Sequence, residues 1–278
     1  MKVSVTNEYG TLKSVIMASV DNYTDHEPIN DTQKRFFKDS RPVREKMVSE
    51  QRTFANIIEQ YSAEILWADS LEGCPLQLYT RDVSFAIGNK LVISEMSAPI
   101  RKDERKGLEK IIKRIETPII SAHNGIAEGG DVMLDGKNIY IGLGQRTDER
   151  ALSWLRSEFG NEYEIIPIRL MPGILHLDTV FNIISEDKAL IFEKGMEKKD
   201  LELLEQRFET ISITDKEQFN MGTNVFSLNP DTVVAQLSNE DSVRKIKAAG
   251  LTVEVVNQSE TSKLGGGFRC STCPLIRE

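Results

Sequence analysis

YTRDVSFAIGNKLVI (79–93), EGGDVMLDGKNIYIG (128–142), LHLDTVFNIISEDKALIF (175–192) and MGTNVFSLNPDTVVA (221–235) each read as a polar residue, a short β-rich run, a turn and a second β-rich run. The opening polar residues are Asp82, Asp131, Asp178 and Asn224, spaced 49, 47 and 46 residues apart, and 46 more lead from Asn224 to Cys270. Between the hairpins, Glu104–Arg114, Thr147–Phe159, Lys198–Phe208 and Asn239–Ala249 carry apolar residues at mixed spacings of three and four, the helical signature. Thr147 and Ser238 are expected N-caps, each followed by acidic residues that suit a helix N-terminus. Each helix feeds an apolar extended stretch such as EYEIIPI or LTVEVV, so the unit is strand, strand, helix, strand. A fifth unit is expected at the N-terminus, from EYGTLKSVIMA through a helix around Val43–Tyr61 to EILWA.

Five such modules can close radially like blades, which protects sheet edges without one sheet growing indefinitely. The expected architecture is α/β, five ββαβ modules around a central cavity, with residues 1–278 as one domain. Equivalent positions then face the centre, so Asp82, Asp131, Asp178 and Cys270 should converge. Taken singly, an aspartate before a strand often only closes a turn. Recurrence at one period weighs against that explanation.

The last fifteen residues, LGGGFRCSTCPLIRE, supply the nucleophile candidate. Gly265, Gly266 and Gly267 allow close backbone approach where a Cβ would obstruct, and on that ground Gly267 is placed among the substrate-binding positions. Cys270 and Cys273 form a CxxC, yet a zinc site needs about four ligands and the histidines are only His26, His123 and His176. A redox CxxC should open a helix after a strand, whereas this one meets Pro274 and the end of the chain. Neither a metal nor another cofactor is expected.

Composition sets the outer bounds. The chain has 278 residues, 40% of them hydrophobic, enough for a substantial core. Its three cysteines are too few for a disulfide framework, and no segment approaches the roughly 18 to 20 apolar residues of a membrane span. A cytoplasmic protein without a membrane partner is expected. The net charge of −8 argues against nucleic acid and favours cationic small molecules.

Carboxylates around a thiol and an imidazole suit a planar cation with several N–H donors, and guanidinium is that cation. A free thiol is only a few per cent ionised at neutral pH, so the bound cation or an imidazolium must favour the thiolate. His176 precedes Asp178 by two, which in a strand puts both side chains on one face. His176 would protonate the departing amine and later deprotonate the attacking group.

In these motifs, from NEYGTLKSVIM through YTRD, EGGD, HLDTVFNII and NVFSL to LGGGFRCSTC, the chain resembles the guanidine-modifying penteins: arginine deiminases, dimethylarginine hydrolases and arginine amidinotransferases. The resemblance implies a five-bladed αβ propeller with Cys270 as nucleophile, His176 as general acid and base, and Asp82, Asp131 and Asp178 as guanidinium carboxylates. It also implies Glu128 as a further substrate-binding carboxylate, and Arg101 and Arg146 as partners of a substrate carboxylate. Within the superfamily, Asp178 disfavours a methylated nitrogen, and the absence of a long helical insertion disfavours a deiminase. LGGGF, Thr272, Cys273 and HLDTVFNII look most like arginine:glycine-type amidinotransferases, while EGGD and YTRD lean toward deiminases. The implied activity is therefore transfer of an amidino group from arginine, or a related guanidino donor, to a small primary amine such as glycine, another amino acid, a diamine or a polyamine. Hydrolysis of the same substrate is the alternative, and a homo-oligomer is left open.

Overall fold

The computed structural model describes residues 1–122 and 125–278, so His123 lies outside the described residues. The chain opens with β1 (Leu12–Ala18), α1 (Asp31–Asp39), α2 (Arg44–Gln60) and β2 (Glu64–Ala68). Next come α3 (Thr80–Val83), β3 (Ser84–Ile87), β4 (Lys90–Ile93), a 3-10 turn at Glu104–Leu108, α4 (Glu109–Ile112) and β5 (Ile119–Ser121). The third module has β6 (Val132–Asp135), β7 (Asn138–Leu143), α5 (Glu149–Phe159) and β8 (Glu164–Arg169). The fourth has β9 (Phe181–Ile183), β10 (Lys188–Ile191), α6 (Lys198–Arg207) and β11 (Glu209–Ser212). After α7 (Asp215–Phe219) follow β12 (Phe226–Asn229), β13 (Thr232–Gln236), α8 (Glu240–Ala248), β14 (Thr252–Val256) and finally β15 (Cys273–Arg277).

Among the described residues these strands form five three-stranded sheets. In four of them a hairpin pairs antiparallel and the strand after the helix joins in parallel, as the repeat predicts. The N-terminal sheet holds a feature the sequence did not disclose: its hairpin partner comes from the other end of the chain. β15 pairs antiparallel with β1, placing Cys273 opposite Ile16 and Arg277 opposite Leu12, and β2 pairs in parallel on the far side.

Apolar side chains between neighbouring sheets close the ring. Ile16, Leu66, Phe85, Leu91, Ile141 and Leu155 share one cluster spanning three sheets. Met133 and Tyr140 meet Phe181 and Leu204 in a second, and Ile184 and Leu190 meet Val233 and Ile246 in a third. Phe226 and Val234 then return to Val15, Met17 and Phe54. This is a five-bladed αβ propeller, and no helix described is long and apolar enough to cross a membrane.

Local expectations need three corrections. The helix expected over Glu104–Arg114 breaks into a 3-10 turn and one α-turn at Gly107, a poor helix former whose carbonyl accepts from the Asp69 amide at 2.9 Å. α5 is capped by Asp148, which accepts from the Ala151 amide at 2.9 Å, and not by Thr147, whose hydroxyl turns inward. α8 starts after Asn239 rather than Ser238, and makes no side-chain cap bond.

Because β15 supplies a whole strand to the closing sheet, its side chains should weigh on global stability. Leu275 is fully buried. Leu275→Ala should cost about 2–5 kcal/mol, read as a lower urea midpoint with an unchanged slope. A loss under about 1 kcal/mol would mean that the closure is peripheral to the core.

Candidate active site

The inner end of each module is a short turn, not the first residue of a strand. Asp82 sits in α3, Asp131 closes the 3-10 turn Gly129–Asp131, and Asp178 is the middle residue of the 3-10 turn Leu177–Thr179. His176 is the extended residue before that last turn, so His176 and Asp178 do not share a strand face as expected. The turn separates their jobs: His176 Nε2 meets Glu128 Oε2 at 2.8 Å, while Asp178 reaches Cys270.

Cys270 is held by two neighbours. Its Sγ–H donates to Asp178 Oδ2 at 3.4 Å, and Asn224 Nδ2 donates to Sγ at 3.1 Å. Asn224 Oδ1 accepts from the Cys270 amide at 3.0 Å and from the Gly267 amide at 3.1 Å. A Cβ on Gly266 would lie 2.5 Å from the Tyr79 ring, and one on Gly267 3.0 Å from Asn224, so these glycines serve packing of the nucleophile loop. Gly265, with φ of +96°, is the member of the run that lines the cavity.

That cavity is bounded by Ile29, Asn30, Leu76, Tyr79, Asp82, Arg101, Arg146, Leu175, His176, Leu264, Gly265 and Cys270. The free space is about 10 Å³, no more than one water requires. Asn30 Nδ2 and Gln33 Nε2 both donate to the Leu264 carbonyl, at 3.2 and 2.8 Å, tying the start of α1 over the glycine loop. A wider groove of about 380 Å³, lined by Gln51, Arg52 and Trp67, holds none of these groups.

The buried charges are paired in a consistent way. Arg101 Nη1 donates to Asp82 Oδ2 at 2.6 Å, and its Nε and Nη2 fork onto Glu104. Arg146 Nη1 donates to Glu128 Oε2 at 3.1 Å. Asp131 spends both oxygens within the chain, accepting from the Thr147 hydroxyl at 2.7 Å and the Leu177 amide at 2.8 Å. It therefore stands one step back from the cavity and fixes the His176–Asp178 turn. Asp82 Oδ1, Asp178 Oδ1 and His176 Nδ1 are buried without a hydrogen-bond partner. Ligating atoms of Asp82, Glu128 and His176 lie within 4.8 Å of one another, close enough for a metal, yet Arg101 and Arg146 already balance both carboxylates.

Burial penalises the charged forms throughout, and neighbours decide the outcome. Burial, then the Asp178 and Asp82 charges, push the Cys270 thiol well above its usual range. For His176 burial works downward, but the charges of Asp82 and Asp131 and the Glu128 bond outweigh it and lift the imidazole to about 9. Desolvation raises Asp131 to about 7. The resting site is thus thiol and imidazolium.

Asn224, Arg269, Glu104 and Glu8 were missed as site residues. Asn224 carried a signal, since it occupies the aspartate register of the repeat. Glu104 carried a local one, standing three residues after Arg101, which it pairs, whereas Glu8 carried none because it joins the site only through tertiary contact.

The propeller and its buried thiol, imidazole and carboxylates define a guanidine-modifying pentein. The family model described as eukaryotic N,N dimethylarginine dimethylhydrolase matches residues 19–277, and the chain belongs to that family. It is 35% identical over 99% of its length to YkgA of Bacillus subtilis (strain 168), covering 96% of that protein. It is 29% identical, over 75% of its length, to an arginine deiminase of Listeria welshimeri, of which it spans 63%. Solved structures with TM-scores of 0.85 include SxtG, an amidinotransferase of Microseira wollei (19% identity, 99% of this chain and 97% of that one). The N-terminal domain of ArgZ, a cyanobacterial arginine dihydrolase, also has a TM-score of 0.85, at 19% identity over 95% of this chain and 98% of that one. At that identity they establish the shared fold. The branch that Asp178 disfavours is thus the one whose family model matches, and relatives of both kinds leave transfer and hydrolysis unseparated.

Because the folded His176 value is raised from 6.5 to about 9, its stabilisation is complete below pH 6.5 and lost as pH rises through 9. The His176 ring resonance, assigned by its loss in His176→Gln, should titrate near pH 9. A midpoint at or below 6.5 would contradict the carboxylate cage.

Proposed function

We propose that residues 1–278 form a catalytic domain that moves the amidino group of arginine, or a close guanidino relative, to a small primary amine through a covalent intermediate on Cys270. The observation that carries this reading is the set of buried atoms without a hydrogen-bond partner, Asp82 Oδ1, Asp178 Oδ1 and His176 Nδ1, the first and last 3.7 Å apart, beside a thiol. A guanidinium supplies N–H donors for both oxygens at once, and its positive charge offsets the two carboxylates that hold the thiol protonated. The thiol proton is released to solvent as the cation takes its place, and His176 stays protonated.

The thiolate then attacks the guanidinium carbon, and His176 gives its proton to the departing nitrogen. Free amine and an amidino-cysteine result, with His176 neutral. An incoming amine gives a proton back to His176, bonds to the amidino carbon and releases the thiolate. Glu128 keeps His176 oriented through Nε2, and Asp131 holds the backbone that carries it. Arg101 is committed to Glu104 and Asp82, whereas Glu128 is the sole hydrogen-bond partner of Arg146 among the described residues. Arg146 is accordingly the better anchor for a substrate carboxylate.

Transfer is favoured over hydrolysis by the amidinotransferase-like LGGGF and HLDTVFNII strings. Hydrolysis is the second reading, favoured by the match to a hydrolase family and by the deiminase relatives.

Incubation with arginine, alone and with glycine, ornithine, lysine, putrescine or spermidine, should yield ornithine only with an equivalent amount of amidinated amine, by mass spectrometry. Citrulline, or ornithine with ammonia, formed without an amine would establish the hydrolase. Cys270→Ala should abolish turnover while keeping the fold, and Cys273→Ala, whose thiol lies in the core between β1 and β3, should stay active. Asp178→Asn should weaken guanidinium binding by roughly 1.5–3 kcal/mol. Unchanged affinity would remove Asp178 from the site.

A further inference from the structure

Arg269, the residue before the thiol, is 1% exposed and engaged at every nitrogen. Its Nη1 donates to Asp178 Oδ2 at 3.0 Å, its Nη2 to Glu8 Oε1 at 3.0 Å and to the Val132 carbonyl at 2.6 Å, and its Nε to Glu8 Oε2 at 3.3 Å. Glu8 also accepts from the Leu134 amide at 3.2 Å and lies 3.7 Å from Arg81 Nη1. Arg269 does not line the cavity, so whatever it does for a substrate is done through Asp178.

We propose that Arg269, anchored by Glu8, is a positioning residue: its guanidinium holds Asp178 by Oδ2 as an ionised carboxylate and leaves Oδ1 as the one acceptor offered to a guanidino substrate. The inference rests on the guanidine-modifying reading above. Asp178 is fully buried and feels Asp82 and the Cys270 sulfur on one side, and His176 and Arg269 as its cations. Burial raises its carboxyl, and Arg269 is the largest influence holding it down. Without that cation Asp178 takes up a proton at higher pH, and a neutral carboxyl loses the charge-assisted bond to substrate. A lysine cannot replace the fork, because one ammonium cannot span Glu8 and Asp178 with the same parallel bonds. Glu8 stays ionised in turn: burial opposes it, but the Arg269 and Arg81 charges draw it down to about 2.

The test follows the Asp178 carboxyl directly, by carbon NMR of protein labelled at aspartate carboxyls, with Asp178→Asn assigning the resonance. Arg269→Gln should move its titration midpoint up. Glu8→Gln, which removes an anion and leaves Arg269 to Asp178, should move it down. A merely structural role lowers the melting temperature of both variants without opposite shifts. Shifts of the same sign, or none, overturn the proposal, and if Arg269→Gln does not fold, a Glu8→Gln midpoint that is unchanged or raised does so alone. No substrate enters this measurement. Failure of the wild-type protein to turn over any guanidino compound would sink the functional reading and leave the titration to judge Arg269.

Discussion

Antiparallel pairing of Cys273–Arg277 with Leu12–Ala18 is the constraint on which the site depends. Four modules supply their own hairpins, and the fifth is completed only when the two ends of the chain meet. The ladder starts at Cys273, so the preceding turn, with Cys270 in it, is drawn to the ring's centre as the sheet forms. Arg81 reinforces the seam, its amide donating to the Cys270 carbonyl at 3.1 Å and its Nε to the Thr272 carbonyl at 3.0 Å. Closure and placement of the nucleophile are one event.

Once closed, the ring buries a large set of charges around free space of only about 10 Å³. Each ion then requires a partner, since an unpaired buried charge costs several kcal/mol. The solution is a division of oxygens. Arg101 takes Asp82 Oδ2 and Arg269 takes Asp178 Oδ2, while the opposite oxygen of each carboxylate has no hydrogen bond, Asp82 Oδ1 lying 3.7 Å from His176 Nδ1. The protein's own guanidiniums occupy one oxygen of each carboxylate, and the proposed guanidino substrate would complete the other.

Much of this was legible in the sequence, for a physical reason. Hairpin, helix and strand repeat with local periodicities, so the modules and their register could be read residue by residue, and the register ended on Cys270. The fifth module's missing strand was not legible, because β15 and β1 are separated by nearly the whole chain. Site roles divided the same way. Cys270, Asp82 and Asp178 converge as their shared register places them and His176 arrives with the turn that carries Asp178, but Asp131 shares the register and spends both oxygens on Thr147 and Leu177. Period gives a residue's position, and only the packed neighbours give its partner. Arg269 sat in plain view beside the thiol, yet nothing local marks it as engaged by Glu8, 261 residues away.

The central claim is that Cys270 carries the transferred group. Acid-quenching the protein during turnover of arginine and weighing the Cys270 peptide tests it most directly, because the adduct records which nitrogen departed. The account predicts a single amidino group on Cys270, with ornithine already released. An adduct retaining the whole arginine less ammonia would place the chemistry with the deiminases, and an unmodified Cys270 under active turnover would contradict the covalent mechanism altogether.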